Sequence, residues 1–311
     1  MLGTFLAALG VVGTMLLYAV PGFALVKTKL VKAENISGFA KLLMYVSSPC
    51  LLFTSITKNQ FSLDLVKWLG LAFLIIGGLF LLGLFIVHLA VKRKKMQVEY
   101  RIYNLATVLA NCAFMGVPVL EALLPEHPEA VAFSAMASLA LNIIGWSVGS
   151  FIISQDKSYI SPKKIFLNPA TIAFVIAIPF FITGFSLPGV IGDAVNMLAK
   201  ISTPLCMLIM GMRLACVPLR SVFLKPINYV VVLIKQVAFP MVALLVLLAL
   251  PVPFVMKSAI YIMMCCPVAS VVLTFSELIG QGQEDAAGLV LLGTSLSIAT
   301  IPVMSMLIYL F

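Results

Sequence analysis

The chain has 311 residues, of which 62% are hydrophobic and 10% charged, and its mean hydropathy is +1.17. Soluble domains carry roughly 25% charged residues, so this composition excludes a soluble protein and indicates an integral membrane protein. The net charge is +9, but the Lys and Arg residues lie in short segments between apolar runs, which is typical of bilayer orientation and not of nucleic-acid binding.

Ten apolar segments are long enough to predict transmembrane helices, because a span needs about 20 residues. The first segment lacks the basic n-region of a signal peptide, so we interpret it as a span. The connections are short, and the longest, residues 154–168, divides the chain into halves. Spans 1 to 10 are predicted over residues 2–26, 38–57, 68–91, 102–124, 130–153, 169–184, 189–212, 227–250, 257–279 and 285–310.

The basic residues predict the orientation of the spans. Fourteen of the twenty Lys and Arg residues lie in the connections after spans 1, 3, 5 and 7. The positive-inside rule places these connections in the cytoplasm and both termini on the extracytoplasmic side. We therefore expect a multi-pass protein of the cell (plasma) membrane.

A repeat relates the two halves. A shift of 155 residues aligns Ser47 with Ser202 and Pro49 with Pro204, and it also aligns spans 5 and 10. Five spans per half is an odd number, so the halves are inverted in the membrane, as in alternating-access transporters. The predicted organisation is a first repeat (1–153), a cytoplasmic connection (154–168) and a second, inverted repeat (169–311).

Helix-breaking residues lie within two corresponding spans. Span 4 contains Asn111, Gly116 and Pro118, and span 9 contains Pro267. Proline removes a helical hydrogen bond, and broken backbone at membrane depth is tolerated only against protein or a watery cavity. Corresponding broken helices indicate a substrate site, where half-helix N-termini favour a carboxylate. The alternative is a pair of simple kinks.

Lysines within spans have two interpretations. Lys41 and Lys200 lie in spans 2 and 7, near helix ends, where they either attract an anion or extend to the interface. Lys235 and Gln236 in span 8 either contact substrate or pair helices. The six cysteines lack metal-ligand spacing, so we expect reduced thiols, no metal and no cofactor. The chain lacks His-Glu-x-x-His, and its Gly-x-Ser-x-Gly match at residues 145–149 lies inside span 5 while both histidines lie near interfaces, so we expect no enzyme.

The segment NCAFMGVPVLEAL, residues 111–123, resembles the Asn-x-x-x-x-Gly-x-Pro-Leu-Leu signature of the auxin efflux carrier family. That family includes plant auxin exporters and bacterial malate permease-like proteins. KLLMYVSSPCLLF and CPVASVVLTFSELIGQGQEDAAGLVLLGTSLSIATIPV extend the resemblance over the chain. Cys112 departs from the threonine of the plant branch, and span 3 has no carboxylate in its body.

The resemblance implies an all-α fold of ten helices in two inverted five-helix repeats, with proline-broken helices 4 and 9 crossing beside the substrate. Helices 1, 2, 6 and 7 would form a scaffold that is often dimeric, and helices 3–5 and 8–10 a transport domain. Asn142, four residues before Trp146, corresponds to an amide of the plant carriers. The expected substrate-binding residues are Asn111, Cys112, Gly116, Pro118, Asn142, Pro267, Ser270, Lys41 and Lys200.

The sequence therefore predicts a secondary transporter that moves a small organic anion, a malate- or auxin-like carboxylate, by alternating access in the lipid bilayer. A homodimer through the scaffold helices is expected. A relative of sodium-coupled bile acid transporters and a channel are the alternatives. The sequence leaves the cargo, the direction of flux, the coupling ion and the oligomeric state open.

Overall fold

The computed structural model describes residues 2–94, 96–160 and 162–311, and the regular structure in this part is helical. In chain order the main helices are α1 (Leu2–Lys27), α2 (Ala33–Thr57), α3 (Leu63–Val91), α4a (Val98–Val108), α4b (Cys112–Leu123), α5 (Glu129–Ser154), α6 (Pro169–Thr183), α7 (Gly189–Cys216), α8 (Pro226–Ala249), α9a (Phe254–Cys265), α9b (Val271–Ile279) and α10 (Gln283–Leu310).

Seven of these helices are long and apolar enough to cross a membrane: α1, α2, α3, α5, α7, α8 and α10. They correspond to seven of the ten predicted spans. The other three predicted spans have a different form. Span 6 is α6, which has 15 residues, while spans 4 and 9 are each divided into two shorter helices.

Local sequence signals explain several helix ends. The Ser62 side chain accepts a hydrogen bond from the Leu65 amide at the start of α3, 3.0 Å away. Asn168 caps α6 in the same way through the amide of Ala170, at 2.9 Å. Gly184 and Gly280 end α6 and α9b in the left-handed conformation, with φ of 64° and 69°. These are the residue types that satisfy unpaired groups at helix ends or tolerate positive φ.

Prolines widen three of the helices without ending them. A proline cannot donate to the carbonyl four residues earlier and its ring clashes with that carbonyl, and a wider π turn relieves the clash. In each case the five-residue π turn ends two residues before the proline: Leu43–Ser47 before Pro49, Cys112–Gly116 before Pro118, and Ile234–Ala238 before Pro240.

The helices pack in a pattern that links the two halves of the chain. α1 packs against α7 and α10, while α6 packs against α2 and α5. Likewise, α3 packs against α5, and α8 against α10. The Lys225 ammonium donates to Asp285 at 2.6 Å beside the α8–α10 contact, and this hydrogen bond raises the pKa of Lys225.

Two glycines bring α1 and α7 into backbone contact. A Cβ atom on Gly22 would overlap the carbonyl oxygen of Leu208, and one on Gly211 would overlap that of Ala19. Small residues allow this approach in membrane proteins, where packing drives helix association. The α1–α7 pair is therefore a close and specific contact between the halves.

Candidate functional site

The interrupted helices meet at a short antiparallel backbone pairing. The amide of Asn111 donates to the carbonyl of Pro267, and the amide of Ala269 donates to that of Leu109, both at 2.9 Å. Ala110 lies opposite Val268 between these bonds. Backbone groups buried away from water need partners. The two unwound segments supply them to each other, so the pairing permits both helices to unwind at this depth.

Side chains meet the carbonyls at the C-terminal end of α9a. The last turn of a helix leaves carbonyls without helical partners. Here a thiol, a second thiol and an ammonium approach three successive carbonyls: Cys266 Sγ to Ile262 at 3.4 Å, Cys112 Sγ to Met263 at 3.9 Å, and Lys235 Nζ to Met264 at 2.9 Å. The end of α9a is thus capped from its own helix, from α4b and from α8.

A cavity of about 180 Å³ lies beside the crossing. The side chain of Asn111 lines it, is 5% exposed, and makes no hydrogen bond to another described residue. The Trp146 ring also lines the cavity, and it packs edge-on against Phe275 with ring centroids 5.0 Å apart. Other polar lining residues are Ser48, Ser138, Asn142, Asn168, Arg213, Ser270 and Thr274.

The cavity opens toward one mouth of the protein. A wider cleft of about 770 Å³ lies between the end of α7 and the start of α2. Six residues line both spaces: Ala40, Met44, Arg213, Leu273, Thr274 and Ala287. Arg213 is the one charged residue among the described residues lining the cavity, and it forms an ion pair of 3.0 Å with Glu277. A solute in the cleft therefore passes Arg213 before reaching the crossing.

A third space lies at the opposite mouth. It has a volume of about 660 Å³ and its lining includes Lys58, Glu121, His127 and Lys200. Within the described part of the chain it shares no lining residue with the central cavity. The packing of α4b against α7 lies between the two spaces, so in the described part of the chain the opposite space is separated from the cavity.

Comparison with known proteins agrees with this architecture. The profile of the Membrane transport protein family matches residues 9–305. The chain belongs to this family, the auxin efflux carrier family. An uncharacterized transporter of Methanocaldococcus jannaschii is 26% identical over 197 residues, which are 60% of this chain and 62% of the relative. The aligned region therefore spans less than two thirds of that relative. The protein is a multi-pass membrane transport protein.

Four of the nine expected substrate-binding residues of this family member line the central cavity: Asn111, Cys112, Asn142 and Ser270. The other five lie elsewhere. Lys41 lines the wider cleft, Lys200 and Pro118 line the opposite space, and Gly116 and Pro267 are buried in the packing around the crossing.

The predicted position of the break in span 4 is wrong. The helix unwinds at residues 109–111, seven residues before Pro118, which lies in the first turn of Val117–Leu123. A π turn accommodates this proline, so the helix continues through it. Unwinding occurs instead where the partner segment offers hydrogen bonds. In span 9 the predicted Pro267 does lie in the unwound segment, between α9a and α9b.

Pro118 nevertheless leaves a carbonyl without its helical donor. The residue four positions earlier is Phe114, whose oxygen accepts a hydrogen bond from the Thr203 hydroxyl at 3.0 Å. Thr203 belongs to α7 and lines the opposite space, whereas Phe114 lines the central cavity. This hydrogen bond therefore joins α7 to α4b at the boundary between the two spaces.

Gly116 also has a packing role. A Cβ atom there would lie 2.6 Å from the side chain of Met263 and 3.5 Å from the thiol of Cys266. The small size of glycine lets α4b and α9a approach closely at this point, and a larger residue would require the Met263 side chain to move. The sequence analysis grouped Gly116 with the helix-breaking residues, and in the structure it ends the π turn Cys112–Gly116 while the helix continues.

Sequence reasoning missed several lining residues of the cavity. Ser138 lies one helical turn before Asn142, and this i, i+4 spacing could have identified it. Asn168 is a helix cap whose side-chain amide also donates to Asn142 at 3.4 Å. Arg213 lies just beyond the predicted end of span 7 and was assigned only to orientation. Long-range packing brings these residues to the cavity.

Proposed function

We propose that the protein is a secondary transporter that carries a small organic anion across the plasma membrane by alternating access. Its ten spans would form two inverted repeats, residues 1–153 and 169–311, joined by the cytoplasmic connection 154–168. The observation that carries the proposal is the backbone crossing of two interrupted helices beside a cavity that opens on one side. Membrane transport is the established activity of the family.

The helix contacts support the repeat. Exchanging each helix with the one five positions later converts the α1–α7 contact into α6–α2, and α3–α5 into α8–α10. The same exchange converts α1–α10 into α6–α5, which also exists. A two-fold related pair of units produces such paired contacts, and an odd number of helices per unit makes the relation an inverted one.

The arrangement of spaces supports alternating access. The central cavity shares six lining residues with the cleft at the side that carries the basic connections, and among the described residues it shares none with the opposite space. By the positive-inside rule the open side is cytoplasmic and both termini are extracytoplasmic. In this proposal, movement of α3–α5 and α8–α10 relative to α1, α2, α6 and α7 would open the cavity to the other side.

The chemistry of the lining supports an organic anion as cargo. The N-terminal ends of α4b and α9b both reach the cavity, and helix N-termini favour negative charge. The free amide of Asn111 can donate to a carboxylate, and Arg213 at the mouth attracts one. Among the described residues, no carboxylate lines the cavity to oppose an anion. Apolar side chains, including Trp146 and Phe114, suit an amphipathic acid.

We also propose a homodimer that forms through the scaffold helices. α1 and α6 present many apolar side chains on the outside of the chain, among them Leu17, Val20, Val175 and Ile176. In a bilayer these faces contact lipid or a second copy. Native mass spectrometry from detergent or nanodiscs tests this part, with a monomer as the contradicting result.

The transport proposal is tested with purified protein and a panel of mono- and dicarboxylates, starting with malate. We expect at least one carboxylate to raise the melting temperature and to enter proteoliposomes with saturable uptake and counterflow. Unitary currents would identify a channel, and an absolute sodium requirement would favour a bile-acid-transporter-like symporter. If no carboxylate binds or moves, the anion assignment fails.

A further inference from the structure

Lys235 is a lysine enclosed within the helix bundle. It lies in the π turn Ile234–Ala238 near the middle of α8, and its side chain is fully buried. No carboxylate among the described residues lies within 4.0 Å of its ammonium. A charged group at membrane depth is costly and is retained mainly for function. The location of Lys235 therefore requires an explanation other than an ion pair with an acid.

The contacts of Lys235 are directed at the crossing. Its Nζ atom donates to the carbonyl of Met264 at 2.9 Å and lies 5.1 Å from the centre of the Phe239 ring. The titratable groups that interact with it are three thiols: Cys112, Cys265 and Cys266. The unwound segment of span 9 begins immediately after Met264 and Cys265. Lys235 therefore binds the point at which span 9 stops being a helix.

This point carries negative charge. The C-terminal end of a helix has a partial charge of about −0.5 and carbonyls that lack helical donors. In an ordinary α-helix the carbonyl of Met264 would accept from the amide of residue 268, but Val268 lies in the crossing. Half-helix C-termini at such breaks are where inorganic coupling cations bind in some transporters. The ammonium of Lys235 places a positive charge at the negative end of α9a, as a bound cation would, but this charge is covalently attached to the chain.

The neighbouring Gln236 makes side-chain hydrogen bonds of the kind that pair two regular helices. Its side chain is also fully buried, it donates to the carbonyl of Gly293 at 2.6 Å, and it accepts from the Thr300 hydroxyl at 3.1 Å. Both partners belong to the regular helix α10. Gln236 therefore joins two continuous helices, whereas Lys235 reaches the end of an interrupted one.

We infer that Lys235 acts as a tethered cation that neutralises the broken end of α9a, so that the crossing functions without a bound sodium ion. This inference deepens the proposed function and rests on it for the transport experiment. Lys235 is a positioning residue, since it acts on the unwound segment and does not line the cavity.

The first experiment needs no cargo. Purified wild-type protein is melted in sodium chloride and in choline chloride at equal ionic strength. A sodium site filled at one hundred times its Kd would raise the melting temperature of a chain of this length by about 4 °C. We expect a difference below about 2 °C. A sodium-dependent rise of the larger size in the wild-type protein would overturn the inference.

The second experiment compares Lys235→Met with Lys257→Met in proteoliposomes loaded for malate uptake. Lys257 lies in the first turn of α9a, where it serves as the matched lysine-to-methionine control. We expect Lys235→Met to lower uptake per folded molecule about tenfold or more, the effect of losing one charge-assisted hydrogen bond. Removing a buried charge should raise its melting temperature, whereas leaving the Met264 carbonyl without a donor should lower it, so uptake is expressed per folded molecule. Lys257→Met should stay within about twofold of wild type.

The outcomes separate the two proposals. Unchanged uptake per folded molecule in Lys235→Met would overturn the role of Lys235 while leaving the transporter assignment intact. A wild-type protein that takes up no carboxylate would overturn the proposed cargo, while the sodium melting experiment would still decide whether an inorganic cation occupies the protein.

Discussion

The backbone amide of Asn111 donates a hydrogen bond to the carbonyl oxygen of Pro267, 2.9 Å away. These residues come from opposite halves of the chain, and each lies where its helix is interrupted. The bond occupies the backbone of Asn111 and leaves its side-chain amide directed at the cavity without a partner among the described residues. One residue thus holds the crossing together and offers a free donor to a ligand.

Replacing Asn111 by alanine should weaken binding more than folding. The substitution removes the free amide but retains the backbone bond to Pro267. Loss of a hydrogen bond to a charged group costs about 1.5–3 kcal/mol, so we expect an about 10- to 100-fold rise in the Kd of a carboxylate. Calorimetry or thermal shift with malate measures it. Asn35→Ala, at an exposed site outside the cavity, is the control, and equal affinity in both variants would contradict the site.

The Thr203–Phe114 bond predicts an interaction between two substitutions. Thr203→Val removes the hydroxyl donor and leaves the Phe114 carbonyl unsatisfied, which should cost about 1–3 kcal/mol of stability. In a Pro118→Ala background the new amide of residue 118 can donate to the same carbonyl. Thr203→Val should then cost markedly less, and a double-mutant cycle of melting temperatures or unfolding free energies measures the coupling.

Additive effects in that cycle would show that Pro118 and Thr203 act separately. Transport gives a second measurement, because the bond lies between the central cavity and the opposite space. We expect Thr203→Val to change the maximal rate of uptake more than the half-saturating concentration, since Thr203 does not line the cavity.

Arg213 should control access from the cleft between the end of α7 and the start of α2. Its guanidinium lines both the cavity and the cleft and is paired with Glu277 at 3.0 Å. Arg213→Gln should raise the half-saturating concentration for a dianion such as malate several-fold, and Glu277→Gln should lower it by freeing the arginine. Salt should reduce both effects. Identical changes for neutral and anionic solutes would contradict this electrostatic role.

The α1–α7 contact predicts opposite effects for two glycines of the same helix. Gly22→Ala places a methyl group against the Leu208 carbonyl and should destabilise the protein by about 1–3 kcal/mol or more. Gly13→Ala meets no atom within 4 Å, so the better helix propensity of alanine should leave stability unchanged or raise it by up to about 1 kcal/mol. Thermal unfolding in detergent distinguishes them, and equal losses would exclude the close contact.

The predictions that succeeded depend on local properties of the sequence. Hydropathy located the seven long helices, because the apolar character of a segment does not depend on its neighbours. The signature around Asn111 identified the family, which the match over residues 9–305 confirms. The sequence also placed Asn111, Cys112, Asn142 and Ser270 among the site residues, and these line the cavity. Their binding role stays a prediction.

The errors involve partners that are distant in sequence. Pro118 marked a weak point in span 4, but the helix unwinds at residues 109–111 because only those backbone groups find partners in span 9. Gly116 was grouped with the helix-breaking residues, but it lies in a continuous part of α4b and packs against the Met263 side chain. Nothing in the sequence indicated a role for Thr203. In the structure its hydroxyl donates to the Phe114 carbonyl, which lacks a helical donor because of Pro118.

Apolar length, charge distribution and a short signature are properties of single segments, so they were enough to predict a helical membrane protein of a transport family. Where the helices open, which side chains reach the cavity and what Lys235 binds depend on contacts between helices. An unpaired backbone group or a buried charge is tolerated only where a partner exists. In this chain that partner belongs to another helix.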